Sequence, residues 1–304
     1  MTTRHTRGGV TWIDLEGATE EESEAVRREF DLDPRIGNEI TSPTPYPAFA
    51  AFGKAAFVVL HFPAPRSRGG LKDQEIDIIV GRDFLITAHY EVVDSLHKLN
   101  KDFETEELLG VGGEAKADAL LELVLYRLYG SVRSEVARAA GTLVRIEREI
   151  ARGDEALMVR PIAEVGREFL HFENLLTREE QPLETFLETL ALPGFFGSGF
   201  CVREKRILAE RARISHLVST YRATATELRE NNMALLTAAQ NEIMKTLTIM
   251  AFITLPLTLV AALFQMNMRD TPIIGEPYDF WIVIGIMLLL SGLLALFVVR
   301  KRWL

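Results

Sequence analysis

TLTIMAFITLPLTLVAALFQMNM, residues Thr246–Met268, carries no charged side chain over 23 positions. A helix of that length crosses a hydrocarbon core of ~30 Å. A second uncharged run, FWIVIGIMLLLSGLLALFVV, spans the 20 residues Phe280–Val299. One such run fits a buried helix of a soluble core; two adjacent ones read as membrane spans. The eleven residues between them, Arg269–Asp279 (RDTPIIGEPYD), contain Pro272, Gly275 and Pro277. These stop helices, so the spans are expected to form a tight antiparallel hairpin.

Charge sets the expected orientation. Lys245 precedes the first span and Arg300-Lys301-Arg302 follow the second, whereas the loop sets Arg269 against Asp270, Glu276 and Asp279. Basic flanks stay on the cytoplasmic side. Both termini are therefore expected in the cytoplasm of a multi-pass protein of the cell (inner) membrane, with the acidic loop outside. No apolar stretch follows Arg4 and Arg7, and no signal peptide is expected.

Upstream of the first span, no proline or glycine occurs from Phe200 to Lys245. Ile207, Ile214, Tyr221, Leu228 and Leu235 recur every seven residues, with Leu217 and Val218 on the same side. The pattern predicts a coiled-coil-like stalk running straight into the membrane. Residues 200–268 as one helix measure roughly 100 Å. Such a helix is not stable alone and implies an oligomer with stalks side by side.

The rest reads as a mixed domain. Strands are expected at Val10–Leu15, Ala48–Phe52, Ala55–Phe62, Glu75–Val80 and Phe84–His89, the first pair of hairpin arms turning at Gly53-Lys54 and the second at Gly81-Arg82-Asp83. A short helix is expected over Glu20–Phe30 with Thr19 as N-cap, and long helices over Lys116–Arg152 and Arg160–Leu190, packed antiparallel. The resulting division is an α/β cytoplasmic domain (1–98), a helical region (99–199), a stalk (200–245), the first span (246–268), an outer loop (269–279), the second span (280–299) and a basic tail (300–304). The fold class is α+β with a long stalk helix and two C-terminal transmembrane helices.

Composition excludes several functions. The chain holds 34 Lys and Arg against 43 Asp and Glu, for a net charge of −9. The first 242 residues alone are at −11, the reverse of a nucleic-acid binder. Cys201 is the single cysteine, which rules out an intrachain disulfide. His5, His61, His89, His97, His171 and His216 show no ligand spacing. The segment Gly110–Gly113 lacks the Lys-Ser/Thr of a phosphate loop. No Ser-His-Asp or Cys-His arrangement is visible, so no enzyme is expected.

The first span has a face of its own. Asn241, Met244, Leu247, Ala251, Leu255, Thr258 and Ala262 follow helical spacing along one stripe. It is less bulky than the opposite side, which carries Ile249, Phe252, Ile253 and Val260. Such a stripe suits close helix packing or a narrow channel. Pro256 removes one backbone hydrogen bond mid-span, so the Phe252 carbonyl needs another partner. Gln265 and Asn267 place two amides at the outer end, where they are expected to face a symmetry axis or each other.

NEIMKTLTIMAFITLPLTLVAALFQMNM, residues Asn241–Met268, resembles the stalk end and first membrane helix of the CorA family of divalent-cation channels. The matching features are MKTLT at Met244–Thr248, PLT at Pro256–Thr258 and Met266-Asn267. YDFW at Tyr278–Trp281 and RKRWL at Arg300–Leu304 extend the resemblance, and WIDLEG (Trp12–Gly17) and FLITAH (Phe84–His89) carry it more weakly to the front of the chain. The family's signature is Gly-Met-Asn; here it reads Gln265-Met266-Asn267. Gln reaches glycine's backbone angles only at a cost, and it adds amides at the mouth. The related ZntB zinc-transporting branch usually keeps the Gly and changes the Met, so this chain lies nearer the magnesium branch.

The resemblance implies a homopentameric funnel in the lipid bilayer. Its stalks form the inner wall, and five copies of Asn267, with Met266 and Gln265, form the selectivity mouth. No resident cofactor is implied; Mg²⁺, or another divalent cation such as Co²⁺ or Ni²⁺, is the transported ion and a regulatory one. Mg²⁺ prefers oxygen and dehydrates reluctantly, so an amide ring would hold its water shell. Asp270, Glu276 and Asp279 would raise the local cation concentration. Met244, Leu247 and Leu255 would gate by dewetting. In the stalk, Arg206 stands where a magnesium-type member would carry a sensing Asp, with Glu204 and Glu210 nearby. A zinc transporter of the ZntB type and a non-conducting membrane scaffold of the same fold are the alternative readings.

Overall fold

A computed structural model describes residues 2–65, 71–108, 116–265 and 278–301. The chain forms two compact units, residues 1–229 and 230–304.

The first unit is built on a six-stranded sheet in the order β1-β2-β6-β5-β4-β3. Its strands are β1 (Thr2–Arg7), β2 (Val10–Glu16), β3 (Ala48–Phe52), β4 (Ala55–Pro65), β5 (Leu71–Val80) and β6 (Phe84–His89). β2 and β6 are parallel and every other pair is antiparallel. Strand alternation sends side chains to two faces. Val58, Leu60, Ile76, Ile78, Val80 and Leu85 face one core; Phe57, Val59, Ile79, Phe84 and Ile86 face the other. Both faces are covered, which is why β4 reads as an almost continuous apolar run.

Helices α1 (Glu20–Glu29) and α2 (Pro34–Thr41) cover the second face through Val26, Ile36 and Ile40. Thr19 caps α1 as expected: its hydroxyl accepts from the Glu22 N–H at 3.2 Å, and Glu22 accepts from the Thr19 N–H at 3.0 Å. Two elements differ from the sequence expectation, which left β1 and α2 without structure. β1, TTRHTR, has no apolar residue; it is an edge strand paired to β2 through Gly8 and Gly9, both at positive φ (59° and 84°). That turn geometry favours glycine. α2 is short and is held by Asp33 at its N-cap, which accepts from the Arg35 N–H at 3.0 Å, and by Pro34 in its first turn.

The first face is covered by α3 (Asp94–Leu108), α4 (Ala117–Ile150) and α5 (Glu155–Leu190). α4 and α5 form the expected pair, turning through Gly153 at φ 98°. α5 starts one turn and more before the expected Arg160 and continues through Pro161 and Pro182. After a 3-10 turn at Gly197–Phe200, α6 runs unbroken over the 65 residues Cys201–Gln265. In the first unit its seam is filled by the chain itself. Ile207, Ile214, Val218 and Ala225 are buried in the same core as α4 and α5, while Leu235 is exposed. The heptad residues expected to meet neighbouring stalks thus first serve intrachain packing, because α4 and α5 offer an apolar face of similar length.

The second unit contains the remainder of α6 and α7 (Asp279–Arg300). Both helices are long and apolar enough to cross a membrane.

Candidate ion pathway

Residue spacing on α6 separates two sides. At ~100° per residue, Ile249, Ile253, Pro256, Val260 and Phe264 lie on one stripe, and each is half-buried. On α7, Val283, Ile284, Met287, Leu290, Ser291 and Leu294 are half-buried and Val298 is buried. The helices touch where the Phe252 and Phe297 rings approach to 6.1 Å between centroids. The stripe Met244, Leu247, Ala251, Leu255, Thr258 and Ala262 is on the side of α6 opposite its half-buried stripe, and all six residues are exposed, Leu255 to 68%. Asn241, one turn earlier, is exposed as well.

Polar groups on this helix are tied to its own backbone. Thr248 donates to the Met244 carbonyl at 2.7 Å, Thr254 to Met250 at 2.7 Å and Thr258 to Thr254 at 2.8 Å. Each donor hydrogen is consumed, so the hydroxyl presents only lone pairs outward. α6 passes Pro256 without interruption and ends at Gln265, which is exposed. Met266, Asn267, Asp270 and Glu276 lie outside the described residues. Asp279 is the first residue of α7.

A sequence profile of the CorA-like Mg²⁺ transporter protein family matches residues 7–302. The chain belongs to that family. CorA-family chains are transporters, not enzymes. The cobalt/magnesium transport protein CorA of Thermotoga maritima is 23% identical over 303 residues, covering 97% of this chain and 83% of that protein. The putative metal ion transporter YfjQ of Bacillus subtilis is 22% identical over 302 residues, covering 96% and 89%. In fold, the complete structure of the CorA magnesium transporter from Methanocaldococcus jannaschii superposes with a TM-score of 0.83 at 18% identity, covering 97% of this chain and 92% of that one.

In this CorA-family chain two of the three stalk residues singled out by sequence, Arg206 and Glu210, are occupied by internal ion pairs. Arg206 reaches Glu122 at 3.5 Å, and Glu210 accepts from Arg133 at 2.9 Å. Neighbouring Arg203 bonds Asp118 at 2.9 Å and also Glu122. Among the described residues no group of three or more His, Cys, Asp or Glu is placed to hold a metal.

Buried acids in the six-stranded sheet were not foreseen. Asp14 accepts from Thr87 at 2.5 Å and Asn100 at 2.6 Å, with His89 Nε2 at 3.3 Å. Burial works against a charged His89, yet Asp14 outweighs it and holds the imidazole above its usual pKa. Asp77 is 1% exposed and is pushed well above the carboxylate range by burial and by Glu75. Glu75 itself accepts the Thr44 N–H, at 2.9 and 2.8 Å to its two oxygens. Glu179 is fully buried and is raised by that burial to about 8. Period-2 spacing of Glu75 and Asp77 inside an apolar strand was the one available signal for any of these.

Proposed function

We propose that this protein is a divalent-cation transporter carrying Mg²⁺, with Co²⁺ and Ni²⁺ as further candidates, down its electrochemical gradient. Several copies, five by family resemblance, place the α6 stripe from Asn241 to Ala262 around a shared axis. The reading rests on one observation: that stripe is exposed, and it lies on the side of α6 opposite the half-buried stripe Ile249, Ile253, Pro256, Val260 and Phe264. Its mildly polar character, with no His, Cys or carboxylate, suits a cation that keeps its water shell and weighs against a dehydrated Zn²⁺.

The amides of Asn267 and Gln265, with Met266, form the outer mouth in this reading. Asp270, Glu276 and Asp279 concentrate cations there. Both termini are cytoplasmic, and an inside-negative potential contributes about 4.6 kcal/mol per 100 mV for a doubly charged ion, twice the single-charge value. The domain assignment is that of a cytoplasmic α/β domain (1–98), a cytoplasmic helical region (99–199), stalk (200–245), spans (246–268 and 280–299), outer loop (269–279) and basic tail (300–304).

Proteoliposome flux under an imposed potential, with Mg²⁺, Co²⁺, Ni²⁺ and Zn²⁺ in parallel, tests the proposal. Potential-driven Mg²⁺ entry that is abolished by Asn267→Ala supports it. Flux of Zn²⁺ alone favours the ZntB-type alternative. No flux of any ion favours the non-conducting scaffold, for which Gln265 in place of the family glycine is the supporting feature.

A further inference from the structure

A cleft of about 960 Å³ opens in the first unit between the start of β5, the start of α3 and the middle of α4, and the ion pathway uses none of it. Small-molecule sites run to roughly 300–1,000 Å³, so this one has room for a sizeable ligand. Phe62 and Pro63 of β4, with Val93 and Leu123, give it an apolar wall. Tyr126 of α4 lines it as well and is 51% exposed. Gly130 lies in the same stretch of α4. Glycine weakens a helix interior relative to alanine, and no close neighbour requires it here: a Cβ at Gly130 would meet no atom within 4 Å. The missing side chain leaves space in the cleft.

Most of the charge on the cleft is already matched. Lys72 pairs with Glu91, Arg127 with Asp102 at 3.1 Å, and Glu135 with Arg138 at 2.7 Å. Arg133 donates to Glu210 of α6 at 2.9 Å, yet its side chain stays 42% exposed. Asp94 and Lys98, one turn apart at the start of α3, line the cleft without an ion-pair partner among the described residues. The Ser95 hydroxyl beside them has no hydrogen-bond partner.

These unmatched groups answer the parts of one class of molecule. An exposed tyrosine ring beside an apolar wall accepts a planar base. A free carboxylate accepts from ribose hydroxyls. An unpaired ammonium, a half-open guanidinium and an unused hydroxyl suit phosphate oxygens. A purely apolar ligand would strip water from Lys98 and Asp94 without replacing it, and inorganic phosphate would leave most of the volume empty.

We propose that this cleft binds a nucleoside phosphate, with its base against Tyr126, its ribose on Asp94 and its phosphates on Ser95, Lys98 and Arg133. The site goes beyond cation transport and holds whether or not the α6 stripe conducts.

The test titrates the full-length protein in detergent with ATP by isothermal calorimetry. Divalent cations are chelated, so no metal carried by the nucleotide reaches the ion pathway. Adenosine and inorganic tripolyphosphate are titrated in parallel. ATP is expected to bind saturably, about tenfold or more tighter than either fragment, because each fragment makes only part of the contacts. Lys98→Ala and Tyr126→Ala should each weaken ATP about tenfold. Gly130→Trp fills the cleft from a position with room for a side chain and should abolish binding while the thermal midpoint is kept. Lys98 and Tyr126 are exposed, so their variants report even where Gly130→Trp destabilises α4. No saturable ATP binding at millimolar concentration would overturn the assignment. So would tripolyphosphate binding as tightly as ATP, or wild-type affinity in folded Gly130→Trp or in both Lys98→Ala and Tyr126→Ala.

Discussion

Tyr221 of α6 lies nearly flat against Phe169 of α5, with ring centroids 5.7 Å apart and planes inclined by 22°. Phe169 is fully buried and also approaches Phe172 at 6.5 Å. The stack joins α6 to the α4–α5 pair at the third residue of the heptad seam. Phe169→Ala removes a buried ring and leaves a cavity, with an expected cost of about 3–5 kcal/mol. Phe169→Leu should cost clearly less, since it refills most of the volume. Denaturant midpoints of the two variants in detergent check the order.

The Asp14–His89 pair makes stability depend on pH. The pKa of His89 is raised in the folded protein from 6.5, so the folded state holds its proton more tightly than the unfolded chain. The contribution is fully present below pH 6.5 and is lost as pH rises through the higher folded value. Glu179 has the same sign, because its folded pKa is also raised. The comparison of wild type with His89→Gln therefore isolates the pair: the difference in thermal midpoint should be largest at acidic pH and shrink above neutrality. A difference that grows with pH contradicts this assignment.

The two sides of α6 make separate demands on a bulky substitution. Ala262 lies on the proposed pathway stripe, and Ala262→Trp is expected to abolish cation flux while the oligomer still elutes intact. Met250, 60% exposed and off the stripe, should accept Trp with flux retained. Equal flux loss in both variants would place the pathway elsewhere.

The capping box of α1 should be worth about 1 kcal/mol. Thr19→Ala leaves the Glu22 N–H unsatisfied and breaks the reciprocal pair. Thr19→Ser should recover most of the loss. Equilibrium unfolding of the three proteins measures it.

Most elements of the fold were legible because their signals are local. The β3–β4 hairpin and its glycine turn, the α1 cap, the helices α4 and α5 and the long uncharged runs all follow from period and punctuation within a short window. β1 was not legible: TTRHTR has no apolar residue, and its strand state comes from pairing with β2, which only the sheet supplies. α2 escaped for a related reason. Its eight residues hold a single Ile36–Ile40 apolar pair, too little to show a helical period. On α6, the helical stripe from Asn241 to Ala262 was readable from spacing alone. That the other side of α6 is half-buried and that Phe252 meets Phe297 of α7 was not, since α7 is apolar all round and its sequence names no preferred face.

Spacing and hydrophobicity alone determined that this chain carries two uncharged membrane-length helices behind an acidic α+β region, because those properties depend on neighbours along the chain. Tertiary structure alone decided that Ile207, Ile214 and Val218 are consumed within the core of the first unit, that Arg206 and Glu210 answer to Glu122 and Arg133, and that Glu179 is shut away beside Tyr129. Burial and pairing of this kind depend on residues 50 to 118 positions apart, as with Tyr129, Glu179 and His61, and no local pattern records them.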